Sequence, residues 1–269
     1  MSDMSVALVT GATAGIGAAF ARRLARDGTH LVLLARDGDR LDATAAELRA
    51  EHGVTVETVV ADLSTEDGLA VAEQRAAQGV DLLVNNAGFG HQGWFLDAPL
   101  DVELKTMRVH CEAVLRLTYA ALPHMLQHGA GGVINVASIA AFVARGTYGA
   151  SKAWVVSFSE SVAAEIVGSG VRITTVCPGW VRTEFHDRAH LDVDNVPPYL
   201  WLKPETVVDA ALRDFSRGRL VSIPTARYKA IVGLNRAVPR RLAAAISARV
   251  GSRRTGHRAR RGPLLTPDV

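Results

Sequence analysis

VALVTGATAGIG, residues Val6 to Gly17, runs a short apolar stretch straight into a loop in which Gly11, Gly15 and Gly17 recur. The chain then continues as GIGAAFARRLARDG with helical period. A strand that ends in a glycine-spaced turn and opens a helix lets the backbone approach a pyrophosphate closely, and the helix start offers free N–H groups and the positive end of its dipole. A tight turn with helix packing would use the same residues, so a lone glycine triplet is weak evidence. Its place between the first strand and the first helix favours dinucleotide binding.

The alternation continues outward from that stretch. Apolar, β-rich runs recur at residues 6–10, 31–35, 55–61, 81–85, 132–138, 171–177 and 220–224, which gives seven expected strands. Between them lie helical patterns such as DRLDATAAELRAEHG, each ending near a glycine able to cap a helix C-terminus. Strands separated by helical crossovers imply βαβ units and a parallel sheet covered on both faces, where strands read as continuous apolar runs. The expected fold is one α/β domain over residues 1–225, a doubly wound, Rossmann-like parallel sheet of seven strands with helices on both faces. A basic amphipathic helical extension over 226–250 and a disordered tail over 251–269 follow.

Composition narrows the class. The chain has 269 residues, 48% of them hydrophobic and 21% charged, enough apolar material for a sizeable core. Its net charge of +3 conceals an asymmetry: residues 217–261 hold 13 Lys/Arg and no Asp or Glu, whereas residues 1–216 hold 17 basic and 26 acidic side chains, a net −9. An acidic body with no base-reading motif argues against nucleic acid as a partner. Cys111 and Cys177 match no metal-ligand spacing, no metal is expected, and a reduced, cytoplasmic protein is the simplest account. The N-terminus lacks a basic n-region with an apolar h-region, and no segment is long and apolar enough to span a membrane, so neither secretion nor integration is expected.

YGASKAW, Tyr148 to Trp154, places a tyrosine and a lysine four residues apart, one above the other on a helix face. Lys152 would favour the phenolate of Tyr148 and bring a group that ordinarily titrates near pH 10 toward working pH, as general acid–base catalysis requires. Together with TGxxxGxG, NNAG (Asn85 to Gly88), Ser138, and CPG followed by Thr183, the chain over about residues 4–225 resembles the short-chain dehydrogenases/reductases of single-domain type. The resemblance implies hydride transfer between a nicotinamide and a carbonyl/alcohol pair. Tyr148 would be the acid–base, Ser138 would hydrogen-bond the substrate oxygen, and Lys152 would also hold the nicotinamide ribose. It further implies cofactor contacts at Gly11, Thr13, Gly15, Ile16, Gly17, Asp62, Leu63, Asn85, Ala87, Gly88, Tyr148, Lys152, Pro178, Gly179, Val181 and Thr183.

The cofactor can be narrowed at the end of the second strand, where NAD enzymes place an acid on the ribose 2′-hydroxyl and NADP enzymes need positive charge for a 2′-phosphate. LLARDGDR puts Ala35 in the acid's place and Arg36 after it, which favours NADP(H) over NAD(H). A register shift of two would make Asp37 the ribose acid instead.

Two departures from the family stand out. Where relatives have an asparagine that completes a catalytic tetrad, VHCEAVLRLT carries His110, which could replace the asparagine's structural role, leaves the proton relay open, or could simply be a satisfied packing residue. Ser138 and Tyr148 are ten residues apart, closer than is usual in the family, which should re-aim one pocket wall. The loops past the strands carry Phe89, Trp94, Phe142, Trp180, Phe185, Tyr199 and Trp201, which suits an apolar ketone or alcohol, although lid packing would also explain them.

The expected function is an NADP(H)-dependent oxidoreductase on an apolar carbonyl/alcohol pair, working as a homodimer or homotetramer. The alternative is a sensor or scaffold of the same fold that binds NADP(H) without turnover. In the tail, Tyr228, Ile231, Val232, Val238, Leu242, Ile246 and Val250 share one sector of a helical wheel. Docking of that sector on the body or a second subunit is expected, with peripheral membrane contact secondary.

Overall fold

The computed structural model describes residues 6–90, 95–96, 98–143, 146–189, 193 and 195–237. Seven strands form one sheet: β1 (Val6–Thr10), β2 (His30–Ala35), β3 (Val56–Val60), β4 (Leu82–Asn85), β5 (Gly132–Val136), β6 (Arg172–Val176) and β7 (Val221–Ser222). Their order is β3-β2-β1-β4-β5-β6-β7, with every pair parallel. Each expected strand is present, trimmed by a residue or two at some ends.

Period-two alternation sorts the strand side chains into two cores. Ala7, Val9, Leu31 and Leu33 face one side and pack with Phe20 and Leu24 of α1 (Gly15–Arg26), Leu41 of α2 (Gly38–His52) and Val207 and Phe215 of α8 (Pro204–Ser216). Leu8, Val32, Leu34 and Leu83 face the other side. They meet Leu69 of α3 (Glu66–Ala77) and Leu117 and Met125 of α5 (Ala113–His128). Burial on both faces is why these strands read as unbroken apolar runs. The remaining helices are α4 (Leu100–Met107), α6 (Gly146–Glu165), α7 (Phe185–Arg188) and α9 (Ala226–Ala237). Between α4 and α5, Arg108–Glu112 forms a π-helical turn, a wider winding often found at functional sites.

The order reverses between β1 and β4, which pair at Val9 and Val84. Their connections leave on opposite sides there, opening a crevice at the strand C-termini where ligands of open α/β sheets bind. The glycine loop and NNAG both emerge at this point.

The start of the basic extension joins the body. Tyr228 of α9 is fully buried within the first core, donates its hydroxyl to the Leu200 carbonyl at 2.6 Å and accepts from the Trp180 N–H at 3.0 Å. Gly179 has no room for a side chain, since a Cβ there would lie 1.9 Å from the Tyr228 ring. Val232 is buried as well, but Ile231 is 44% exposed, so the docked stripe is narrower than the wheel suggests. Val238, Leu242, Ile246 and Val250, and the tail over 251–269, lie outside the described residues. Tyr228→Phe should cost about 1–3 kcal/mol, because it strands a buried N–H and a carbonyl. Urea unfolding checks this, and an unchanged midpoint would show that those groups do not depend on the phenol. Among the described residues no helix is long and apolar enough to cross a membrane.

Candidate active site

The crevice is built from β1 outward. Thr10 Oγ1 accepts from the N–H groups of Asn86 and Ala87, each at 2.9 Å, and donates to the Val84 carbonyl. Asn86 Nδ2 returns the link by donating to the carbonyls of Thr10 (2.9 Å) and Gly11 (3.3 Å). The glycine loop and NNAG are thereby stitched into one wall. Gly11 and Gly15 have φ of +66° and +56°, and a Cβ on Gly17 would fall 2.2 Å from the Gly11 carbonyl oxygen. Only glycine fits that approach.

Behind the loop, the N-cap of α1 is Ala14, whose side chain caps nothing, whereas α2 and α3 are capped by Asp37 and Thr65. Its first N–H groups therefore remain to meet an anion in the crevice. Thr13 belongs to the same loop, Ile16 packs back into the core, and Thr183 closes the far side against Gly15. This cradle of backbone donors fits a pyrophosphate.

Past the end of β2, Arg36 is largely exposed, with Nη1 4.0 Å from Asp62 Oδ2, and Leu63, next to Asp62, is buried. Asp62 also caps the backbone at Ser64. Asp37 accepts from the Arg40 N–H at 3.1 Å as the N-cap of α2, which counts against its reading as a ribose acid. Arg40, absent from the sequence expectations, reaches across the crevice: Nη2 lies 2.9 Å from Glu184 Oε1 and 3.3 Å from the Thr13 carbonyl, and Nη1 lies 3.2 Å from Glu184 Oε2. Its position four residues after Arg36, in the first turn of α2, was the only available signal.

The chemistry gathers at the end of β5. Ser138 caps a short 3-10 turn by accepting from the Ala140 N–H at 3.1 Å, which leaves its O–H to donate. Lys152 is buried and donates Nζ to the Val136 carbonyl at 3.0 Å. Burial lowers its pKa from 10.5 to about 8, against a smaller upward pull from the neighbouring thiols of Cys111 and Cys177. Its ammonium lies 5.9 Å from the centroid of the Tyr148 ring. His110 is fully buried on the π-helical turn, edge-on to Tyr148 with ring centroids 5.6 Å apart. Gly88 stands between it and the lysine, for a Cβ there would lie 3.1 Å from His110 Nε2 and 3.6 Å from Lys152 Nζ.

Other expected contacts have internal tasks. The Asn85 amide donates to Asn135 Oδ1 at 2.9 Å and to Thr118 Oγ1 at 3.3 Å, so its side chain braces β4 against β5. The Pro178 carbonyl accepts from the Ile139 N–H, joining the CPG turn to the segment after Ser138. Val181 is buried and bridges to Leu202.

The aromatic residues divide into groups. Phe185 of α7 lies 6.1 Å from Tyr148, and Phe89 lies 5.6 Å from His110. Trp180, His186 and Trp201 pack together with centroids 5.0–5.8 Å apart, and this cluster reaches the first group through His186, 5.5 Å from Phe185. Tyr199 is exposed, Phe142 packs on the core, and Trp94 lies outside the described residues.

Comparison with known proteins agrees with this geometry. A family profile described as short chain dehydrogenase matches residues 5–193. Dehydrogenase/reductase SDR family member 4 of Bos taurus is 36% identical over 189 residues, covering 68% of each chain. Among solved structures, a short-chain dehydrogenase from Sphingobium yanoikuyae in complex with NADPH has a TM-score of 0.79 and 36% identity, and the match covers 96% of this chain and 100% of that one. The bulky-bulky ketone specific alcohol dehydrogenase from Comamonas testosteroni has a TM-score of 0.75 at 32% identity, with 97% and 99% covered. Sheet order, crevice and relatives lead to one assignment: the chain belongs to the short chain dehydrogenase family and is a nicotinamide-dependent oxidoreductase acting on CH–OH and C=O groups.

Proposed function

We propose that this enzyme uses NADP(H) to interconvert an apolar ketone and its secondary alcohol, with Tyr148 as the general acid–base. The observation that carries the reading is the buried Lys152 cation one helical turn from Tyr148, in a crevice whose glycine loop has the shape to take a pyrophosphate. The nicotinamide, when bound, supplies or takes up the hydride. Tyr148 gives the proton to the carbonyl oxygen in reduction and recovers it in oxidation. The Ser138 hydroxyl donates to that same oxygen and steadies the charge that develops on it. Lys152 favours the phenolate between turnovers and holds the ribose.

The preference for NADP(H) is supported by Arg36, which stands exposed at the crevice mouth while Asp37 is engaged as a helix cap. Arg36→Ala should weaken NADPH by about 1.5–3 kcal/mol, the value of a charge-assisted bond, and leave NADH nearly unchanged. Fluorescence titration with both cofactors measures this, and equal losses would sink the assignment. The apolar substrate is supported by Phe185 beside Tyr148, by Phe89 beside His110 and by the ketone specificity of the Comamonas testosteroni relative.

Loss of NADPH absorbance at 340 nm with a panel of aryl and steroid ketones tests the whole reading. Tight NADPH binding with no turnover of any ketone or the matching alcohols would favour the sensor alternative. Assembly into a homodimer or homotetramer belongs to the same reading. It is supported by the exposed Leu100, Leu104 and Met107 of α4 with Leu115, Tyr119 and Leu126 of α5.

A further inference from the structure

Arg40 and Glu184 meet beside the glycine loop from opposite sides of the crevice. Arg40 stands in the first turn of α2, where its own N–H is held by Asp37. Glu184 follows Thr183, whose methyl group would lie 2.9 Å from a Cβ on Gly15, and precedes Phe185, 6.1 Å from Tyr148. The guanidinium gives both terminal nitrogens to the carboxylate, at 2.9 and 3.2 Å, and Nη2 also reaches the Thr13 carbonyl at 3.3 Å. The pair thus bridges α2 and the segment leading into α7, passing the loop that starts α1 on the way.

A two-bond fork of this kind is the geometry in which an ion pair near the surface holds best. The bond to Glu184 raises the pKa of Arg40, and the bond to Arg40 lowers that of Glu184, so both stay ionised at working pH. Glu184 has a second cation in Arg188, but that partner stands four residues along the same segment and spans nothing. Every bond of the crossing pair runs between groups of the protein itself. A pair that is equally strong with and without a ligand leaves the binding equilibrium alone and changes only the barrier to passage.

We propose that Arg40 and Glu184 form a clasp across the crevice that must open each time the dinucleotide enters or leaves, and so sets its rate of exchange without setting its affinity. The clasp rests on the crevice being the NADP(H) site, the reading given above. The other task open to Arg40 is direct contact with a cofactor phosphate, for which a guanidinium is equally suited. Glu184 tells the two apart. In a clasp the carboxylate and the guanidinium are halves of one part, and losing either has the same effect. Were Arg40 a phosphate contact, Glu184 would compete for it, and losing the carboxylate would tighten binding.

The test needs no turnover. Stopped-flow fluorescence on the full chain gives the NADPH association rate on mixing and the dissociation rate on a chase with excess NADP+. Arg40→Gln and Glu184→Gln should each raise both rates about two- to five-fold, the range one exposed pair supports, with Kd little changed. The double variant should be no faster than either single one, because the second substitution has no pair left to break. Arg188→Ala should keep the wild-type rates. High salt, which screens an exposed pair, should bring wild type toward the variants. A Kd that rises in Arg40→Gln and falls in Glu184→Gln would make Arg40 a phosphate contact and overturn the clasp. Unchanged rates, additive effects in the double variant, or equal acceleration in Arg188→Ala would overturn it too. A wild-type protein that bound neither NADPH nor NADH would overturn the dinucleotide site and the clasp with it, whereas those other results overturn the clasp alone.

Discussion

Tyr148→Phe is expected to lower kcat on the order of a hundred- to ten-thousand-fold, the usual contribution of a positioned acid–base. NADPH binding should hardly change. The substitution removes one oxygen and keeps the ring that packs 5.6 Å from His110 and 6.1 Å from Phe185, and the ring face 5.9 Å from the Lys152 ammonium. The Ser151 bond goes to the Tyr148 carbonyl, which phenylalanine also has. Turnover and cofactor affinity should therefore part company. A variant that kept wild-type kcat would remove Tyr148 from the mechanism, and one that lost NADPH binding in proportion would make it a structural residue. Stopped-flow measurement of NADPH oxidation beside a fluorescence titration distinguishes these outcomes.

That the residue could be singled out at all depended on spacing. Four residues on a helix bring side chains to one face, and strand runs announce themselves by burial, so the glycine loop, the strands and the Tyr148/Lys152 pair were readable locally. Contacts across the chain were not. Arg40 and Glu184 are 144 positions apart, and no periodicity links them. Asn86 was grouped with its neighbours in NNAG, but its role as the stitch between two loops depends on β1 and β4 being adjacent, which is a property of sheet order. His110 was located by its place in the family's pattern, while the bond its Nε2 accepts comes from the backbone N–H of Phe89, outside its own helix. On α9, the wheel placed Ile231 with Tyr228 and Val232, and it turned outward because the body offers a slot only for the stripe of the latter two. Sequence periodicity reports which side chains share a face; the width of the partner surface decides how many of them are covered.

Lys152→Met should abolish useful turnover and at the same time stabilise the protein. The lysine is buried and its ammonium meets the Val136 carbonyl. The nearby Cys111 thiol is pushed up to about 11 by burial, more than the Lys152 charge pulls it down, and the upward pull of the two thiols on the lysine is smaller than the effect of burial. The price of holding a charge there appears in the pKa of Lys152, lowered by burial from 10.5 to about 8. The unfolded chain binds this proton more tightly than the folded one. Below pH 8 both states carry it and the folded state bears the full penalty, up to about 3 kcal/mol at about 1.4 kcal/mol per tenfold change. Between pH 8 and 10.5 the folded protein has released the proton while the unfolded chain still binds it, so stability rises with pH across that window. Methionine has nearly the same length and no charge, and the loss of one donor to Val136 offsets about 1 kcal/mol of the gain. A net stabilisation of about 1–3 kcal/mol at pH 7 is expected from urea unfolding, and the rise between pH 8 and 10.5 should flatten in the variant. A destabilised Lys152→Met protein that kept the wild-type pH slope would show that the buried ammonium is not what the fold sacrifices for catalysis.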